Sequence, residues 1–295
     1  MTDEFDTRIM LPDGRRLTLR ERGAPDGLPV LHLPGAPAGS RLDVEHWHPR
    51  AEARGLRMLG VDRPGIGASD RHPGGTMRSF TEDIAAALDS LGLERVAVTA
   101  VSGGGPFGVA LAGALPTRIV HLTLVAPAWF RDHASTKGMP GFNRFLWWCS
   151  RHARPVLRFI INSLMRRALL DPERSIAGGF PPVDQRAFAE HPHIEQSIKR
   201  GFQESIREGV DGVVEDTCLI TAPQPFTPEE VRVPVSLWHG DADHNVPIAV
   251  SRRLAARFSN CEPHFLPGEG HVSILVNHME AMLDELRARL DAASA

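Results

Sequence analysis

Apolar residues in this chain fall into short runs broken by Gly, Pro and Asp, and the runs alternate with stretches of helical period. Arg8 to Arg22 holds two alternating segments around Asp13-Gly14, a dipeptide that favours a tight hairpin turn. Pro29-Val-Leu-His-Leu33 stops at Pro34-Gly35, and Arg57-Met-Leu-Gly-Val61 stops at the loop Asp62-Arg-Pro-Gly-Ile-Gly67. Runs this short and apolar predict buried strands. Phe80, Ile84, Ala87, Leu88 and Leu91 recur at helical spacing. They predict an amphipathic helix over Thr76 to Leu91, ended by Gly92. Arg95 to Val101 reads as a strand, Gly104 to Leu115 as a helix and Ile119 to Val125 as a strand. Strand and helix alternate after the hairpin, which predicts an α/β fold with a mostly parallel central sheet and helices on both faces.

The pattern changes after Ala128. Trp129, Phe130, Phe142, Phe145, Trp147 and Trp148 crowd together among arginines. Asp171-Pro172-Glu173 has the form of a helix start. Ile194, Ile198, Phe202, Ile206, Val210 and Val214 recur every four residues, as on one helical stripe. No strand is predicted here, so residues 129–230 read as a helical cap inserted into a core formed by 1–128 and 231–295. The alternation then returns, with strands at Pro234 to Trp238 and Pro263 to Leu266. Helices are predicted at Ile248 to Phe258 and, as one final element, Val272 to Leu290.

Composition narrows the function classes. The chain has 295 residues, 42% of them hydrophobic and 23% charged, with a net charge of −3. That balance gives no reason to expect nucleic acid or an anionic membrane as partner. Met1 to Asp6 is polar and acidic, unlike a secretory signal. Three cysteines, Cys149, Cys218 and Cys261, lie far apart and read as reduced thiols. A cytoplasmic protein is the expectation, with a homodimer possible.

The strand Val96 to Val101 runs into Ser102-Gly103-Gly104-Gly105-Pro106 and then a helix. A strand that reverses sharply into a helix needs small residues two positions either side of its turn residue, and Ala100 and Gly104 meet that need around Ser102. The turn would present the serine hydroxyl at the carboxyl edge of the sheet. The following helix would aim its N-terminal amides at the same point. Gly103, Gly105 and Gly108 also match a dinucleotide-binding spacing. The next strand, Thr123-Leu-Val-Ala-Pro127, lacks the acidic residue which that fingerprint requires at its end. No cofactor is expected.

The run Ala100-Val-Ser-Gly-Gly-Gly-Pro106 resembles the nucleophile elbow of the α/β-hydrolase superfamily, and the resemblance covers most of the chain outside the helical lobe. The likeness is strongest to capped bacterial, actinobacterial-type hydrolases. It implies a serine–acid–histidine triad in that order. Trp238-His-Gly-Asp-Ala-Asp-His-Asn-Val-Pro247 resembles the loop carrying the acid, which puts it at Asp243, with Asp241 as runner-up. Gly268-Glu-Gly-His271 resembles the loop carrying the base. Pro34-Gly-Ala-Pro37 is similar to the family's oxyanion loop, which implies that Ala36 and Gly103 supply backbone donors. The match of Asp62 to Gly67 implies a tight turn that supports the site.

The residue types suit the chemistry. A serine hydroxyl needs a base to take its proton as it attacks, an imidazole can do so and return it, and a carboxylate on the far nitrogen fixes the tautomer. His239-x-Asp241-x-Asp243-His244 superficially resembles a metallo-hydrolase motif but has Asp where its second His belongs, so no metal is expected. His46-Trp-His48 and His191-Pro-His193 read as exposed. The implied activity is attack on a carbonyl through an acyl-enzyme, with an ester or lactone as small-molecule substrate. Amide and C–C bond cleavage on the same triad are alternatives. So is a ligand-binding protein on a hydrolase scaffold. Trp129 and Phe130, at the entrance to the lobe, are the candidates for the substrate pocket.

Overall fold

The structure is a computed structural model that describes residues 6–294 except 38, 40, 131 and 171–174. The hairpin forms as its turn chemistry requires. β1 (Asp6–Met10) pairs antiparallel with β2 (Arg16–Gly23) from Asp6↔Arg20 to Met10↔Arg16, and Gly14 takes φ +86° in the turn. There follow β3 (Leu28–Leu33), α1 (Arg41–Ala53), β4 (Leu56–Asp62), α2 (Met77–Ser90), β5 (Val96–Val101), α3 (Gly105–Ala114) and β6 (Ile119–Val125). Among the described residues, five helices come next: α4 (Gly141–His152), α5 (Arg154–Leu170), α6 (Pro182–Glu190), α7 (Pro192–Ser205) and α8 (Asp211–Thr221). The chain closes with β7 (Val235–Gly240), α9 (Ile248–Ala255), β8 (Cys261–Leu266), α10 (Ser273–Asn277) and α11 (Met279–Ser294).

The eight strands among the described residues form one sheet in the order β1-β2-β4-β3-β5-β6-β7-β8, antiparallel at β1–β2 and β2–β4 and parallel beyond. Both faces of its centre are covered. Leu31, Leu33, Leu59 and Val61 pack with α2 and α3, while Val30, Leu56 and Met58 pack with α1 and α11. Two covered faces explain why these strands read as continuous apolar runs rather than alternating ones. β3 and β5 lie side by side, with Leu33 opposite Ala100, although β4 falls between them in sequence. At that point strand order reverses and the loops leaving the two carboxyl ends diverge, which opens a crevice.

Four differences from the sequence reading have physical reasons. The stripe from Ile194 to Val214 is two helices, because α7 stops at Ser205 and Gly209 turns the chain with φ +99° before α8. Ile206 and Val210 stay in the apolar cluster across the break, so the period survives where the helix does not. The expected final helix breaks at His278, where Asn277 and His278 both turn their side chains to Glu269. α1 was not anticipated, since Pro49 and several charges interrupt any apolar period; Trp47 and Ala51 are nonetheless fully buried. His48 and His191 are half-buried rather than exposed, and the His48 Nδ1 accepts the Gly23 amide at 2.8 Å. The expected helix start at Asp171-Pro172-Glu173 lies outside the described residues, as do Met1 to Phe5. Among the described residues, no helix is long and apolar enough to cross a membrane.

Candidate active site

Ser102 follows β5 with φ +49°, a left-handed conformation that is rare away from glycine. The space around it explains its small neighbours. A Cβ at Gly104 would stand 2.4 Å from the Leu33 carbonyl oxygen. A Cβ at Gly108 would stand 2.8 Å from that of Ala100, so the glycine in α3 makes room for alanine in the strand. The Ser102 carbonyl accepts the Ala128 amide at 2.8 Å, which ties the turn to the segment leaving β6.

The loop after β3 meets this turn directly. A Cβ at Gly103 would lie 2.7 Å from the Cβ of Ala36 and 3.0 Å from its nitrogen. Arg63, in the loop after β4, fixes that segment from behind. Its guanidinium donates to the Pro34 carbonyl at 2.6 Å and the Gly35 carbonyl at 3.2 Å. In a planar trans peptide the carbonyl and the following N–H point opposite ways. Holding the Gly35 carbonyl against Arg63 therefore turns the Ala36 N–H away from Arg63. Arg63 is itself 1% exposed, stacks over Phe107 at 4.8 Å, and pairs with Asp216 of α8 at 2.6 and 2.8 Å.

Asp243 sits in the loop after β7. Its Oδ2 accepts from His271 Nδ1 at 2.7 Å, and its Oδ1 accepts the amides of Asn245 and Val246 at 2.7 and 2.9 Å. His239, fully buried, places Nε2 3.2 Å from Asp243 Oδ2 and sets Nδ1 on the Ser251 hydroxyl at 2.5 Å. Burial works to raise the Asp243 carboxyl, but the facing His271 and the His239 and His271 hydrogen bonds outweigh it and hold the group well below the usual carboxylate range. Asp241 is exposed and accepts the Gly268 amide at 2.7 Å, so it braces the histidine loop from outside. With Asp241 outward and Asp243 inward, the histidine–aspartate run does not converge on one point.

The sequence reading missed Asp184, on α6. Its carboxylate is fully buried and accepts three successive amides, from His271 at 3.0 Å and from Val272 and Ser273 at 2.9 Å each. A Cβ at Gly270 would fall 2.4 Å from this carboxylate, so Gly270 admits the contact. Burial raises the Asp184 carboxyl above its ordinary value, against the pull of the amides and of His271. The nearest sequence signal was the small residue at Gly270, which does not say what fills the space. Elsewhere, Glu262, His264 and Glu285 bring ligand-type atoms within 4.8 Å of one another. Arg289 bridges the two carboxylates at 2.8 and 3.3 Å and offsets part of their charge.

Ser102 and His271 line one cavity of about 150 Å³ together with Gly35 and Ala36. Its apolar wall comes from Phe180, Ile194, Ile198 and Phe202 of the segment between β6 and β7, and from Val272 and Val276. Trp129 and Phe130, expected in this wall, are buried in the main core instead. Phe130 packs on Trp147, with ring centroids 4.8 Å apart, and faces a different cavity beside α4. The chain passes them before it turns over the site; the wall is made by the helices that return.

Comparison with known proteins agrees with this architecture. RutD of Caulobacter sp. (strain K31), by its name a carbamate hydrolase, is 27% identical over 280 residues, covering 85% of this chain and 91% of its own. An esterase from Exiguobacterium antarcticum superposes with a TM-score of 0.70 at 19% identity, covering 97% of this chain and 99% of its own. An enol-lactonase from Burkholderia xenovorans LB400 gives 0.68 at 22%, covering 97% and 100%. At these identities the structural likeness concerns the fold alone. The sequence profile described as alpha/beta hydrolase fold matches residues 29–278, and the chain belongs to that family.

Proposed function

We propose that this protein is a serine hydrolase that cleaves a carboxylic ester or lactone with an apolar acyl group. The observation that carries the reading is the 2.7 Å contact from Asp243 to His271 Nδ1, with His271 and the left-handed Ser102 bordering one cavity. In this reading Ser102 Oγ attacks the carbonyl carbon while His271 Nε2 takes its proton. Asp243 holds Nδ1 protonated and stabilises the imidazolium. The amides of Ala36 and Gly103 receive the oxyanion. Collapse of the tetrahedral intermediate releases the alcohol, which takes the proton from His271. Water then attacks the acyl-enzyme by the same route, yielding the acid and free Ser102.

An ester or lactone is favoured over an amide because its alkoxide leaves with less assistance. The apolar wall of Ile194, Ile198 and Phe202 favours a hydrocarbon acyl group. The segment 129–230 then serves as a cap that supplies this wall. The test is labelling with a fluorophosphonate, followed by peptide mass spectrometry. The expected result is one adduct on Ser102, lost in Ser102→Ala. A folded protein with no adduct and no turnover across acetyl to octanoyl esters would favour a ligand-binding protein on this scaffold.

A further inference from the structure

One stretch of the surface departs from the rest of the chain. Residues 133–170 contain seven Lys and Arg and no Asp or Glu, in a protein whose net charge is −3. This stretch includes α4 and α5. The inner sides of the two helices, with Cys149, Leu157, Ile161 and Met165, pack on Val213 and Val214 of α8. The outer sides should then be polar. Instead Phe142, Phe145 and Trp148 recur every three residues along α4, and Trp148 is 53% exposed. On α5, Val156 and Leu164 are exposed and Phe159 reaches 74%. Trp148 stacks on Phe145 and meets His152 at a tilt, so these three rings form a continuous surface.

Cations surround these rings. Lys137, Arg144 and Arg151 are exposed. Arg151 donates to the Phe130 carbonyl and faces the Asp132 carboxylate across the same cavity, which leaves Lys137 and Arg144 as the free cations of this face among the described contacts. Arg154 and Arg158 pair with Glu215 and Asp211 on the side toward α8. Aromatic rings beside unpaired basic side chains are the composition of a helix face that lies in a lipid–water interface, rings among the acyl chains and cations at the headgroups. A second copy of the chain fits less well. A two-fold interface would set Lys137 and Arg144 of each copy against the other, while the nearby acids Asp132, Asp211 and Glu215 already face Arg151, Arg158 and Arg154.

We infer that the outer face of α4 and α5 docks on an anionic lipid surface. The whole-chain charge conceals this, because the acidic residues lie elsewhere. The inference is independent of the role of Ser102. The contact would hold the enzyme where amphiphilic esters gather.

The test is co-sedimentation of the full chain with vesicles of phosphatidylcholine alone, or with phosphatidylglycerol added. The expected result is about tenfold or stronger binding to the anionic vesicles, weakened by salt. Trp148→Ser/Phe159→Ser should abolish binding, and Arg144→Glu/Arg151→Glu should remove the preference for anionic lipid. All variants should keep the wild-type circular dichroism spectrum and melting temperature, which shows that they fold. Equal, weak sedimentation with both vesicle types would overturn the proposal. So would a dimer in analytical ultracentrifugation that Trp148→Ser/Phe159→Ser converts to monomer, or salt-resistant capture of an acidic protein by the same face.

Discussion

Asp184 and His271 lie 87 residues apart in sequence, yet Asp184 Oδ2 accepts the His271 backbone amide at 3.0 Å. The carboxylate belongs to the helical segment between β6 and β7, and the amide to the loop that carries the proposed base. Asp184→Asn leaves an amide group where an acceptor was and sets a donor against at least one N–H. We expect kcat to fall about tenfold to a hundredfold with KM little changed, as for a small displacement of a reacting group. The negative charge also favours an imidazolium at His271, so its removal should move the acid limb of the pH–rate profile to lower pH. A role in folding alone would leave that limb in place.

The triad assignment predicts graded losses. Ser102→Ala and His271→Ala should each lower kcat by about 10³-fold to 10⁶-fold in a folded protein, and Asp243→Asn by a similar or smaller factor. Asp241→Asn should retain most activity, because Asp241 faces Gly268. Steady-state kinetics on one ester for all four variants decides the matter. Full activity in Asp243→Asn would return the acid to Asp241.

The cavity wall predicts acyl selectivity. Each buried methylene contributes about 0.8 kcal/mol, or about fourfold in kcat/KM, until the pocket is filled. Phe202→Ala should move the optimum to longer chains, and Ile198→Trp to shorter ones. Trp129→Ala should lower stability without moving the optimum. A series from acetyl to octanoyl esters reads all three effects.

The Arg63–Asp216 pair predicts a stability cost. Both side chains are almost fully buried. Replacing Asp216 with Ala strands a buried guanidinium, which costs about 3–5 kcal/mol in chemical denaturation. Activity should fall more than unfolding explains, because Arg63 also holds the Gly35 carbonyl.

Acid should destabilise the protein in two windows. Burial takes His121 from its ordinary 6.5 down to about 4. Between those values the unfolded chain binds the proton and the folded one does not, so stability falls as pH drops from about 6.5 to about 4. Asp243 acts lower down. Its contribution is complete above the usual carboxylate value of about 3.9 and is lost as pH falls below it. Denaturation midpoints across this range should flatten in the upper window for His121→Asn and in the lower one for Asp243→Asn.

Local signals in the sequence were enough for the sheet. Apolar runs such as Ile119 to Val125 coincide with their strands because both faces are covered and the turn residues are specific. Ser102 could be picked out as a candidate because its turn demands small neighbours, while Asp243 and His271 could be picked out only because their loops resemble those of a known family. Asp184 and Asp216 were not. Each is a lone acid on a helix whose partner lies far away in sequence, and a solvated carboxylate would leave the same trace. That the aromatics of α4 face outward was not legible for a related reason. Clustered rings argue for a core in a chain average, and only the packing of Cys149 inward shows which side is left over.

The segment between β6 and β7 grips the site at two places, Asp184 on the histidine loop and Asp216 on the arginine behind the Ala36 loop. This bears on how such proteins diversify. A lobe exchanged for one without acids at these two places would leave a buried Arg63 uncompensated and three loop amides without their acceptor. The heritable module is therefore the lobe together with Arg63 and Gly270. A recombinant that carries both loops along with the donor helices should express as a working enzyme where a simple lobe swap does not.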